Sequence, residues 1–232
     1  LFSAQIELYH CGDHIWAIKA PDSHTRALMF MRPQEFVESA FDEIINKQFK
    51  VSRFMDIYKQ QYGKSIKKTV QENIFGSDIL DYNIKRAKIL LAILALENGE
   101  YLEESDFNLY LQDSLRAKWH KKFEIIVGNP PYVKYQDLSA ENRIYLLNTW
   151  KTIQSGTFNL YFAFFELGYN LLQPTGKLGY ITPNNYFTSL AAKDLRSFFM
   201  QNKCVSRIID FSHKKVFDAQ TYTAITLLSK IE

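Results

Sequence analysis

Asn129, Pro130, Pro131 and Tyr132 follow one another directly behind the apolar run 123–128. An amide, two prolines and an aromatic ring at the mouth of a strand make a rigid polar clamp with a stacking surface. Proline fixes φ and lacks an N–H, so the backbone there can neither continue a ladder nor turn into helix. Its carbonyls stay available as acceptors, the Asn129 amide oxygen adds another, and the face of Tyr132 can cover a flat ring. Such a set suits a planar group carrying an amino substituent, such as adenine. The plainer alternative is a rigid strand-exit loop.

Further candidates also fall where strands are expected to end. Asp78 closes Ile74-Phe75-Gly76-Ser77-Asp78, with Ile79 next to it. An acidic group at that point can accept both ribose hydroxyls of a nucleoside while Ile79 packs on its base. Helix N-capping is the competing reading for Asp78, although Asp81 offers a second cap. Asp113 and Ser114 end the run 109–114, where either could cap a short helix. Basic residues gather in two places, Lys47, Lys50, Arg53, Lys59, Lys64, Lys67 and Lys68, and then Arg116, Lys118, His120, Lys121 and Lys122. Each cluster reads as a phosphate contact or as a solvated helix face. The net charge of +3 does not by itself imply nucleic acid. Cys11 and Cys204 lie far apart with no metal-ligand spacing, so no metal site is expected and a reducing cytoplasm fits. The longest apolar run, 89–96, is too short to span a bilayer, and no signal-peptide pattern opens the chain.

These residues need a scaffold. With 232 residues and 47% hydrophobic content, one large domain with a full core is expected, and the 15% aromatic content points to a core built from rings. From about residue 70, apolar strands alternate with helical patterns, the mark of an α/β doubly wound sheet. Strands are expected at Ala27–Met31, 73–77, Asn108–Leu111, 124–127, 177–182, 205–211 and 221–229. Helices are expected at 34–62, 82–98, 159–172 (stopped by Pro174) and 191–201, the last with Lys193 and Arg196 on its outer face. The final strand pair has no helical pattern between its members, which predicts an antiparallel edge hairpin. Residues 1–26 follow neither period and read as irregular or hairpin-like. In such sheets ligands sit beyond the carboxyl ends of the strands.

Ile125-Ile126-Val127-Gly128-Asn129-Pro130-Pro131-Tyr132 resembles the catalytic signature of S-adenosylmethionine-dependent methyltransferases that act on planar nitrogen. Phe158-Asn159-Leu160-Tyr161 resembles the segment that lines the pocket in that family. The stretch 176–184 resembles its next strand and exit loop, and Val216-Phe217-Asp218-Ala219-Gln220 the loop that brings an aromatic to the target base. With the segment ending in Asp78, the ordered matches cover roughly 73–229 and look most like adenine-N6 DNA methyltransferases of type I and type IIG restriction–modification systems. The resemblance implies a mostly parallel, Rossmann-like sheet with an antiparallel last strand, S-adenosylmethionine as cofactor and double-stranded DNA as partner. It places Asp78 and Ile79 on the cofactor's ribose and adenine, and Asp113, with Ser114, near the adenine amino group. Asn129 and the Pro130 carbonyl would accept the target amino hydrogens. Tyr132, Phe158, Asn159 and Phe217 would stand around a base flipped out of the duplex. Phe217 reads equally as a core residue.

The chain departs from that family in its N-terminal part, where the aromatic-Thr-Pro segment that closes over the cofactor is not recognisable in residues 1–26. Where a Gly-rich cofactor loop is expected, it reads Phe30-Met31-Arg32-Pro33-Gln34-Glu35-Phe36. Glycine there lets backbone approach the methionine moiety. Either the cofactor site is degenerate, or the N-terminal part is altered by truncation, a junction or a shift of reading frame. The expected division is an atypical segment 1–26 and a catalytic domain 27–232. Target recognition would come from a specificity domain or subunit outside the chain, where a nuclease domain could also lie. The competing functions are a protein glutamine methyltransferase, which the Lys134 and Arg143 region fits poorly, and an inactive DNA-binding remnant.

Overall fold

The structure, a computed structural model, describes residues 14–17, 27–31, 65–154, 156–211 and 222–230. Within them the apolar runs become the strands β1 (His14–Ala17), β2 (Ala27–Met31), β3 (Ile74–Asp78), β4 (Asn108–Leu111), β5 (Phe123–Gly128), β6 (Leu172–Pro183), β7 (Val205–Asp210) and β8 (Thr223–Ser229). They form one sheet in the order β4-β3-β1-β2-β5-β6-β8-β7. Neighbours in the series β4, β3, β2, β5 and β6 pair in parallel, whereas β8 runs antiparallel to both β6 and β7. The expected sheet, mostly parallel with an antiparallel last strand, is therefore present. The last two strands do pair antiparallel, but β8 lies inside the sheet and β7 forms the edge. The strand β1 runs antiparallel to β2, β3 and β5, so the sheet already begins within residues 1–26.

The helices are α1 (Ile66–Asn73), α2 (Asp81–Glu97), α3 (Ala140–Thr149), α4 (Tyr161–Leu171) and α5 (Lys193–Asn202). The helix expected over 34–62 lies outside the described residues, as does Cys11; Cys204 is a buried free thiol. Asn73, expected to open a strand, is instead the last residue of α1, which runs straight into β3. The strand expected from 177 starts earlier. Leu172 already pairs with Phe123, and the register shifts before Lys177 across an irregular step where Thr175 has φ +64°. Arg196 is not on an outer face: its Nη1 donates to the carbonyls of Tyr186 and Ser189 at 2.8 and 2.7 Å. Among the described residues, no helix is long and apolar enough to cross a membrane.

The core lies where α4 crosses β6. This helix is apolar almost all round, and such a helix must be covered on every side. Every residue of α4 except Asn170 is buried. The ring of Phe165 meets Tyr180, Tyr186 and Phe199 with centroids 5.3, 6.1 and 5.2 Å away. Burying each such ring contributes about 1.5–3 kcal/mol. The acid of this helix, Glu166, accepts the backbone N–H of Thr152 on its Oε2 at 2.9 Å. Contact between α4 and β6 depends on a missing side chain. A Cβ on Gly168 would overlap Leu178 Cδ1 and come within 2.5 Å of Tyr180 Oη. Gly168→Ala should therefore cost about 1–3 kcal/mol through overpacking. A lower urea midpoint with an unchanged slope is expected, and an unchanged midpoint would mean that α4 can move aside.

Candidate active site

The strand β5 is held on both sides, by β2 and by β6, with Gly128 opposite Phe30 and Tyr180. Whatever follows Gly128 therefore leaves from a fixed point at the carboxyl edge of the sheet. Asn129 is 2% exposed, and its Oδ1 has no hydrogen-bond partner among the described residues. A buried polar atom left unmatched carries a penalty of about 1–3 kcal/mol, so it marks a position retained for something other than stability. Pro130 and Pro131 end the ladder. Tyr132 is half-buried, with its ring edge-on to Tyr161 at 6.1 Å and its hydroxyl donating to the Ile181 carbonyl at 3.3 Å.

The loop behind Tyr132 is pinned from a distance. Leu160 N–H donates to the Val133 carbonyl at 2.8 Å, Tyr135 N–H donates to the Phe158 carbonyl at 2.9 Å, and Lys134 bridges to Asn159. Asn159 Oδ1 is a second buried acceptor with no partner among the described residues. Phe158 is 4% exposed and packs on Tyr135 at 5.3 Å, so its ring supports the loop from inside the core. Tyr161 is fully buried, and burial pushes its phenol well above the usual range. Tyr161 thus stays protonated and donates, to Asn185 Oδ1 at 2.7 Å and to the Pro183 carbonyl at 3.3 Å; it cannot serve as a base.

A cavity of about 240 Å³ opens beside this loop. Asp78, Ile79, Asp113, Ser114 and Pro131 all line it, although they come from three separate strand ends. Asp78 is 1% exposed; it accepts Leu80 N–H on Oδ1 at 2.5 Å and Asn83 Nδ2 on Oδ2 at 3.4 Å. It therefore holds the turn before α2 while facing the cavity. A carboxylate offers about four lone-pair sites, so both tasks are compatible. Ile79, 61% exposed, supplies an apolar surface next to it. Asp113 caps the following turn, accepting Leu115 N–H at 2.9 Å, and Ser114 shares a hydrogen bond with Ser77 at 2.8 Å. Asn129, Pro130, Tyr132, Phe158 and Asn159 do not line this cavity, and Phe217 lies outside the described residues.

The second basic cluster divides. Arg116 lines the cavity. Lys121 sits over the Phe75 ring at 4.2 Å, and Lys122 donates to the Asn170 carbonyl at 2.5 Å, at the amino end of β5 and away from the site. The stretch forms no helix face. Of the first cluster, Lys67 pairs with Asp106 at 3.1 Å and Lys68 with Glu72 at 3.9 Å; residues 47–64 lie outside the described residues.

Residues 42–217 match the family model described as Eco57I restriction-modification methylase. The chain belongs to this family. It is 35% identical over 189 residues to the type II restriction enzyme and methyltransferase RM.Eco57I of Escherichia coli, covering 68% of this chain and 19% of that protein. Against the type II methyltransferase M.AccI of Acinetobacter calcoaceticus it is 30% identical over 172 residues, covering 69% of this chain and 32% of that one. The chain thus spans from a fifth to a third of the length of these relatives. In fold it is similar to the M protein of the type I restriction enzyme EcoKI, with a TM-score of 0.55 at 16% identity over 83% of this chain and 38% of that one. In this Eco57I-family chain α3 also brings Asn142 and Tyr145, which no motif marks, to the cavity wall. The available signal is local: Ser139 caps α3 by accepting Asn142 N–H at 3.2 Å, and Tyr145 and Leu146 follow at helical spacing from it.

Proposed function

We propose that this chain is the catalytic domain of a DNA methyltransferase that uses S-adenosylmethionine to methylate the N6 amino group of a flipped adenine, as the modification part of a restriction–modification system. The observation that carries the reading is the Asn129 amide oxygen, buried, without a partner among the described residues and fixed at the exit of the central strand. That oxygen and the Pro130 carbonyl would accept the two amino hydrogens of the target. They turn the nitrogen lone pair out of conjugation, and the proton is lost to water after transfer. No base is required, so catalysis comes from positioning and from preorganised acceptors. Tyr132 supplies the stacking face.

The cavity residues fit the cofactor. A buried carboxylate at the end of β3 suits a ribose diol, while Ile79, Leu160 and Pro131 offer apolar walls for a purine, with Asp113 at their rim. When bound, the cofactor supplies an electrophilic methyl group. Arg32 to Phe36, where the Gly-rich loop is expected, lie outside the described residues. Double-stranded DNA is the proposed substrate, with its recognition sequence read by a specificity domain or subunit. The reaction is placed in the cytoplasm.

The test is transfer from labelled S-adenosylmethionine to duplex DNA. Tyr132→Phe should keep most of the activity, because the ring face is retained and the hydrogen bond to the Ile181 carbonyl is long, at 3.3 Å. Tyr132→Ala should lose about ten- to hundredfold in kcat/KM for DNA, in line with the value of about 1–3 kcal/mol for stacking on one base. If the alanine variant methylated DNA as the wild type does, Tyr132 would have no part in holding the base.

A further inference from the structure

The side chains of Arg116, Asn142 and Tyr145 meet at one corner of the cavity. The guanidinium of Arg116 lies over the ring of Tyr145, 4.1 Å from its centroid. Its Nη2 donates to Asn142 Oδ1 at 2.6 Å, and its Nε lies 3.5 Å from Asp113 Oδ2. Tyr145 in turn donates its hydroxyl to the Leu115 carbonyl at 3.1 Å. Arg116, Asn142, Tyr145 and Asp113 all line the cavity.

We propose that Arg116 is a positioning residue for the nucleoside end of the cofactor, forming with Asn142 and Tyr145 a clasp that ties α3 to the loop after β4. The inference rests on the methyltransferase reading above. The contacts of Arg116 with Asn142 and Tyr145, and of Tyr145 with the Leu115 carbonyl, join residues 115–116 to α3. The segments on which the clasp acts are therefore two walls of the cavity, α3 and the loop after β4, and the loop carries Asp113 at the rim of the purine site. The arrangement calls for arginine. A planar, delocalised cation can stack on a ring and keep its in-plane N–H groups for an amide and a carboxylate at once, whereas a lysine ammonium can do only one of these well. Arg116 and Asp113 are both well exposed, so the ion pair itself contributes little to stability. Its effect is to limit where the Asp113 carboxylate can point while its other oxygen accepts Leu115 N–H.

Arg116→Ala and Arg116→Lys separate shape from charge, and Asn142→Ala removes a single bond without touching the arginine. S-adenosylmethionine and S-adenosylhomocysteine are titrated into the chain by calorimetry, and the kinetics are resolved into kcat and KM for each substrate. Both arginine variants should bind the two compounds about tenfold more weakly, and Asn142→Ala about threefold, with melting temperatures close to wild type. The KM for S-adenosylmethionine should rise while kcat at saturation and the KM for DNA stay within about twofold. Wild-type affinity in Arg116→Ala, or full rescue in Arg116→Lys, would overturn the clasp and leave the methyltransferase reading intact. Absence of binding by the wild type at millimolar cofactor would overturn both.

Discussion

Asn129→Ala should lose at least about 10²-fold in kcat while the fold stays as stable as wild type or becomes slightly more so. The two halves of this expectation have one cause. Asn129 Oδ1 is buried and makes no hydrogen bond among the described residues, so nothing in them offsets its desolvation. Removing it relieves that cost. In the transition state the same atom would accept one hydrogen of the amino group undergoing methylation, and deleting one preorganised polar group of this kind costs about 10²–10³ in kcat. A structural asparagine would give the opposite pattern, with lower stability and little change in rate. Melting temperature and single-turnover methylation, measured on the same preparation, separate the two.

Asp78→Asn and Asp78→Ala should divide a second double role. The carboxylate accepts Leu80 N–H at 2.5 Å and Asn83 Nδ2 at 3.4 Å, and it also faces the cavity. Asparagine keeps an oxygen for Leu80 but loses the charge and one acceptor. Charge-assisted hydrogen bonds are worth about 1.5–3 kcal/mol, so Asp78→Asn should weaken S-adenosylmethionine binding by about ten- to hundredfold with little loss of stability. Alanine strands the Leu80 N–H and the buried Asn83 amide as well, and should cost about 1–3 kcal/mol of folding free energy in addition. Equal cofactor affinity in wild type and Asp78→Asn would reduce Asp78 to a turn-capping residue.

Local chemistry made much of this legible in advance. The strands Ala27–Met31 and Asn108–Leu111 lie where the apolar runs place them, and β5 extends only one residue beyond each end of the expected 124–127. Runs bounded by turn residues are strong strand signals, and two prolines after a central strand dictate that its ladder stops there. The convergence of Asp78, Asp113 and Pro131 follows from sheet topology, which brings the carboxyl ends of β3, β4 and β5 to one edge. What local pattern could not give is what tertiary contact decides. The pairing of Lys134 with Asn159 spans the whole of α3, and no periodicity encodes it. Arg116 reads like its neighbours Lys118 to Lys122, yet it turns into the cavity because a ring and an amide await it there, while Lys121 and Lys122 find partners at the other end of β5. Asn73 has no local mark that ends a helix; β3 pairing takes over at Ile74 because the core needs Phe75, which is 2% exposed.

The measurement that bears most directly on the central claim is nucleoside mass spectrometry of duplex DNA incubated with this chain and isotopically labelled S-adenosylmethionine, beside the Asn129→Ala variant. The account predicts label in N6-methyladenine with the wild type and none above background with the variant. Label in a methylated cytosine, equal labelling by the variant, or cofactor binding without any transfer to DNA would contradict it.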